Sequence, residues 1–196
     1  MSAELIQEFL ESSSDLEKLR FQLAFHCAPV LKGIKASNIL VIPNSSWQPL
    51  LSLVRTIPVS CICLHRGADK CVVLLFRYHL LERHLHRAEI QDFLKEYGYT
   101  DTRISLILKR LKHRYAVYSS SHSDFPHELG ALLEYPLHDV IGFIDNKGQN
   151  CLLSGYWKVY REPEKALERF RLYDRAREEL AMAAISGTLP PLAGRN

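Results

Sequence analysis

VSCICLHRGADKCVVLLFRY, residues 59–78, separates this chain from an all-helical bundle. Two apolar, strand-forming runs, VSCICLHR (59–66) and KCVVLLFRY (70–78), flank the short glycine-bearing stretch GAD (67–69). Strand-like runs on both sides of so short a turn predict an antiparallel hairpin. Set among helical stretches, a hairpin implies a layered α/β arrangement.

Upstream, SNILVIP (37–43) reads as a buried strand, and NSSWQPLLSLVRTI (44–57) as a short helix beginning near Ser45 or Ser46. The first thirty residues read as two helices. Leu5, Ile6, Phe9 and Leu10 follow helical spacing in the first, and Ser13 or Ser14 offers an N-cap for DLEKLRFQLAFHCAPVLKG (15–33). Proline lacks an N–H and clashes with the preceding turn, so Pro29 predicts an end or bend near Cys27, leaving His26 and Cys27 at a break.

Downstream, LLERHLHRAEIQDFLKEYG (80–98) predicts a helix broken near Arg87, and TDTRISLILKRLKHRY (100–115) one capped by Thr100 or Asp101. Pro126 and Pro136 each open a short helix in FPHELGALLEYPLHDVIGFIDNKG (125–148). GYWKVYR (155–161) is the last strand, and a long helix follows from Glu162 to Ile185. The predicted architecture is α/β: a single layered domain over residues 1–186, a small sheet of about four strands including the hairpin, and helices flanking it. Gly187, Pro190, Pro191 and Gly194 predict a loose tail over 187–196.

With 196 residues, 47% of them hydrophobic and 24% charged, the chain can bury a core without staples. Its net charge of +3 is far below that of a dedicated nucleic-acid binder. The basic run LKRLKHRY (108–115) precedes two short helices faintly like a helix-turn-helix, but the second, LHDVIGFIDNK (137–147), carries two aspartates and one lysine, a poor face for phosphates. Nucleic acid is therefore not an expected partner. The N-terminal residues carry acids where a secretory signal carries a basic patch, and no apolar run approaches the roughly 20 residues of a membrane-spanning helix. A cytoplasmic protein with no membrane partner is expected, with its five cysteines reduced. Cys61, Cys63 and Cys71 lie in strand-like runs as small hydrophobes.

Three element ends hold the remaining chemistry. Cys27 beside His26 offers a thiol whose pKa a nearby imidazolium would lower. His127 and Glu128 sit at a helix start, where a neutral imidazole could act as base or ligand. The third end is Cys151 to Tyr160: alternation places Trp157 and Val159 toward the core, and Tyr156, Lys158 and Tyr160 on the other face, next to Ser154 and Gly155. A metal would need several of His26, Cys27, His127, His138 and Cys151 to converge, whereas haem needs only one axial Cys or His.

The leading expectation is a small ligand or a redox or metal cofactor (haem, flavin or a metal ion) held by His26, Cys27, His127, Glu128, Cys151, Ser154, Tyr156 and Lys158. The alternatives are an enzyme with Cys27 as nucleophile and His127 as base, and a protein-interaction module that forms a homo-oligomer through the terminal helix. No P-loop, dinucleotide glycine fingerprint, G-x-S-x-G elbow or H-E-x-x-H is present.

Two long stretches, FHCAPVLKGIKASNIL (25–40) and FPHELGALLEYPLHDVIGFIDNKGQNCLLSGYWKVY (125–160), with the helix after them, resemble the DUF3793 family, bacterial proteins of unknown function found largely in anaerobic Firmicutes. The resemblance runs from Leu19 to Leu180 and implies no activity. The family pattern is similar to C-x-x-C-G-Y-W-K-V-Y, often with a further cysteine in the terminal helix. Ser154 replaces the second cysteine here and the terminal helix has none, so a thiolate site implied by the family would lack a ligand in this chain.

Overall fold

The computed structural model describes residues 1–120 and 124–189; most of the predicted tail, residues 190–196, lies outside the described residues. Packing divides the chain into two compact units, Met1–Arg77 together with the residues from Tyr173 on, and Tyr78–Leu172.

The hairpin forms as predicted and organises the first unit. Strands β2 (Ser60–Arg66) and β3 (Lys70–Phe76) pair antiparallel, closed by the Gly67 N–H donating to the Lys70 carbonyl at 2.9 Å. A register shift between Cys63 and His65 marks a bulge. Strand β1 (Ser37–Pro43) pairs with the other edge of β3, from Ser37 opposite Phe76 to Pro43 opposite Lys70, giving the order β1-β3-β2. β3 is thus the central strand, and it reads as continuous apolar residues because Cys71, Val73, Leu74 and Leu75 are all inaccessible.

Helices α1 (Ala3–Ser12), α2 (Asp15–Leu31) and α3 (Trp47–Val54) complete the N-terminal part. Ser14 and Glu17 form a reciprocal capping box at the start of α2. The expected break at Cys27 is corrected: α2 runs through Pro29 to Leu31. Pro29 falls in the last turn, where it forgoes its own bond to the Phe25 carbonyl, and Cys27, Ala28, Val30 and Leu31 are buried in the core around it, which outweighs that loss. The Arg77 guanidinium then donates to the Val30 and Leu31 carbonyls, satisfying acceptors that a helix end leaves open. One face of the sheet, with Leu40, Ile42, Cys71, Val73 and Leu75, packs in the same core as Leu23, Ala24, Cys27 and Leu31 of α2.

The second unit holds α4 (Tyr78–Leu85), α5 (Ala88–Glu96), α6 (Ile104–Ser120), α7 (Leu129–Leu132), α8 (Leu137–Asp145), and strands β4 (Leu153–Ser154) and β5 (Lys158–Val159). The helix break near Arg87 appears where the sequence places it. Two predicted elements are shorter. Residues Pro126–Glu128 form a turn rather than a first helical turn, closed by the Leu129 N–H donating to the Pro126 carbonyl at 2.9 Å, so His127 precedes α7. The strand expected over 155–161 shrinks to β5, which pairs antiparallel with β4 in a two-stranded ribbon separate from the main sheet. It ends there because the next backbone N–H groups, those of Tyr160 and Arg161, donate to a carboxylate instead of a neighbouring strand.

The terminal helix α9 (Pro163–Ile185) gives its first part to the second unit and its remainder to the first. Among the described residues no helix is long and apolar enough to cross a membrane.

Candidate functional site

The dense stretch from Phe125 to Tyr160 builds a hollow in the second unit, and Asp139 is its fastener. This first-turn residue of α8 is only 2% exposed. Its Oδ2 accepts the Trp157 indole N–H at 2.8 Å, and its Oδ1 accepts the N–H groups of Tyr160 at 2.7 Å and Arg161 at 3.1 Å. Three donors satisfy a buried charge that would otherwise be very costly.

Close approaches tighten the fastening. A Cβ on Gly155 would run into the Phe170 ring, and one on Gly142 would lie 2.6 Å from the Tyr160 ring. Trp157, held from three sides, meets Phe170 edge-on with centroids 4.5 Å apart and stacks on Tyr135 at 5.3 Å.

The turn carrying His127 is anchored separately. Glu128 is fully buried; it accepts a hydrogen bond from the Tyr99 hydroxyl at 3.1 Å and forms an ion pair with the Arg114 guanidinium. Burial, reinforced by the Glu128 charge, pushes the Tyr99 hydroxyl pKa up, while the hydrogen bond to Glu128 raises that of Arg114. Glu128 therefore acts through its packing, with no free carboxylate to offer a ligand. His127 is left beside two rings, with centroids 5.5 Å from Phe125 and 5.7 Å from Phe143.

Between these walls lies an open cleft of about 350 Å³, lined by Phe125, His127, Tyr135, Phe143, Trp157 and Lys158, with Leu129, Leu133, Val140, Ser154 and Gly155. Lys158 donates to the Gly148 carbonyl, and its ammonium is 6.0 Å from the Phe143 ring centroid. The cleft is an apolar, ring-lined hollow with a polar edge, the usual make-up of a small-molecule site.

Of the residues singled out in the sequence, His127, Ser154 and Lys158 line this cleft, and Trp157 and Val159 are buried as alternation predicts. Tyr156 is half-buried, tilted against Phe170 at 5.4 Å, and Cys151 is half-buried just before β4. His138 faces Asp139, with Nε2 3.6 Å from Oδ1.

His26 and Cys27 belong to the first unit and line neither this cleft nor another described below. Cys27 has no accessible surface, and burial pushes its thiol up to about 12. A protonated, enclosed thiol is a packing residue, not a nucleophile. His26 is exposed, and partial desolvation of its ring, followed by the nearby Arg177 charge, lowers its pKa. Among the described residues no three His, Cys, Asp or Glu side chains gather to hold a metal ion.

Sequence reasoning missed Phe125, Tyr135 and Phe143, which supply most of the ring lining, and Asp139, which positions Trp157. Phe125 and Phe143 are 37% and 36% exposed. An aromatic residue in a turn or on a short helix carries no local mark separating an exposed ring from a core one.

A family model described as "Protein of unknown function (DUF3793)" matches residues 23–190. No curated protein and no solved structure matches the chain.

Proposed function

The chain belongs to the DUF3793 family, whose description assigns no activity, and we propose that it binds a small, flat, largely apolar molecule in the cleft between Phe125, Phe143 and Trp157. One observation carries this reading: rings from five residues, Phe125, His127, Tyr135, Phe143 and Trp157, surround a hollow of about 350 Å³ that they do not fill. Apolar surface left in contact with water is unfavourable, and rings stack well on another flat ring, so an aromatic ligand gains on both counts. His127, Ser154 and Lys158 at the polar edge would orient it.

Of the cofactor classes raised by the sequence, a flavin-type ring system suits this lining through stacking, and a haem could use His127, the one imidazole lining the cleft, as axial ligand.

Titrating the full chain with lumiflavin and, separately, with haem tests the reading through fluorescence of Trp157 in a Trp47→Phe background. Saturable quenching by at least one is expected, weakened about tenfold by Phe125→Ala or Phe143→Ala, equivalent to about 1.4 kcal/mol. Linear, non-saturating quenching by both compounds defeats it, as does saturable quenching that neither substitution changes.

A further inference from the structure

A second cleft of about 390 Å³ opens in the same unit, beyond the Tyr135–Trp157 pair, and its lining is charged rather than aromatic. His84 lies in the last turn of α4 there, Arg87 sits in the α4–α5 turn, His138 in the first turn of α8, Arg161 just before α9, and Lys165 and Arg169 in the first two turns of α9.

Three of the four carboxylates of this wall have named partners. Glu89 pairs with Arg87 and Glu162 with Lys165, each at 2.5 Å. Both Asp139 oxygens accept hydrogen bonds from Trp157 and the backbone; the fourth carboxylate, Glu134, also lines the cleft, and its charge reaches the His84 imidazole. The guanidiniums of Arg161 and Arg169, by contrast, form no ion pair among the described residues.

Their placement has a cost. Lys165 and Arg169 are one helical turn apart on the same face of α9, and Arg161 enters from the residue pair just before it. Like charges at that spacing repel, and only Lys165 is offset, by Glu162 at 2.5 Å, so the Arg169 charge on that face has no ion pair among the described residues. Meanwhile Asp139 pins the Arg161 backbone N–H at 3.1 Å, which fixes where that side chain starts. A stripe of cations lining a hollow, with two planar forks unspent, matches the two-pronged geometry of an oxyanion.

We propose that this cleft binds a small oxyanion, a phosphate or carboxylate group, through Arg161 and Arg169 with Lys165 beside them. The site is independent of the aromatic cleft and does not require a ligand there.

Calorimetric titration of the full chain at low salt, with inorganic phosphate in one arm and succinate in the other, tests the proposal. Saturable binding of at least one is expected, and the arm that saturates names the source. Arg161→Gln/Arg169→Gln should weaken it about tenfold or more, and Arg161→Lys/Arg169→Lys by less, because lysine keeps the charge without the fork. Raising the salt should weaken it further. Phe143→Ala, which disables the aromatic cleft, should leave it unchanged. Both arginines are exposed, so the variants are expected to keep the native far-UV circular dichroism. Absence of saturation in both arms overturns the proposal, and so does binding that survives the glutamine double variant.

Discussion

At the scale of single residues, Cys27 shows how burial removes chemistry that a sequence suggests. Its thiol ordinarily titrates near 9 and is pushed up to about 12 in the folded chain, chiefly by desolvation. Below pH 9 it is protonated both folded and unfolded. Between about 9 and 12 the unfolded chain releases a proton that the native state keeps, so its contribution to stability is lost as pH rises through that window. Cys61, raised to about 11 mainly by burial, acts with the same sign. The wild type should therefore unfold at lower urea as pH goes from 8 to 11, and its advantage over Cys27→Ala should shrink over that range. A constant difference between the two curves would contradict the enclosed, protonated thiol. At neutral pH, native Cys27 should also resist alkylation that unfolding in urea restores.

At the scale of elements, the β4–β5 ribbon is too short to stand alone; it is held to α8 by one carboxylate. Asp139→Asn keeps the shape but presents an amide N–H to either the indole or the backbone donors, leaving at least one buried donor unmatched. A loss on the order of 3 kcal/mol follows, because breaking charged, buried hydrogen bonds costs more than breaking neutral ones. Urea unfolding of the variant measures it. Because Trp157 forms part of the ring-lined wall, lumiflavin or haem quenching should weaken as well, whereas Glu128→Gln should affect the His127 side first. A change under half a kcal/mol in Asp139→Asn would mean that the three hydrogen bonds do not carry the ribbon.

At the scale of the whole molecule, two compact units share one uninterrupted helix. α9 buries Ala166 and Phe170 in its first part, and Tyr173, Ala176 and Leu180 in its second, so neither core is complete without it. Loss of packing on either part shortens the helix available to the other, which favours cooperative unfolding. In a Trp47→Phe variant, Trp157 fluorescence follows the second unit, and pulsed alkylation of the enclosed Cys27 follows the first. The two probes should give the same urea midpoint; midpoints separated by more than about 1 M would show that the shared helix does not couple them.

Much of the fold was legible because it rests on local periodicity. The 59–78 hairpin, the 37–43 strand, the Arg87 break and the Ser14 cap each depend on residues within a few positions of one another, where the allowed backbone geometries are few. Pro29 misled because its local penalty was outweighed by burial of the residues around it, which no local rule weighs. The candidate site was half legible: His127, Ser154 and Lys158 stood out as chemical residues, and alternation sorted Trp157 from Lys158. Linear order holds no measure of distance between Phe125, Tyr135, Phe143 and Trp157, nor of whether Cys27 is wrapped or open. Those properties arise from which surfaces exclude water when distant segments pack, so the ring-lined hollow and the charged cleft beside it came into view only with the folded chain.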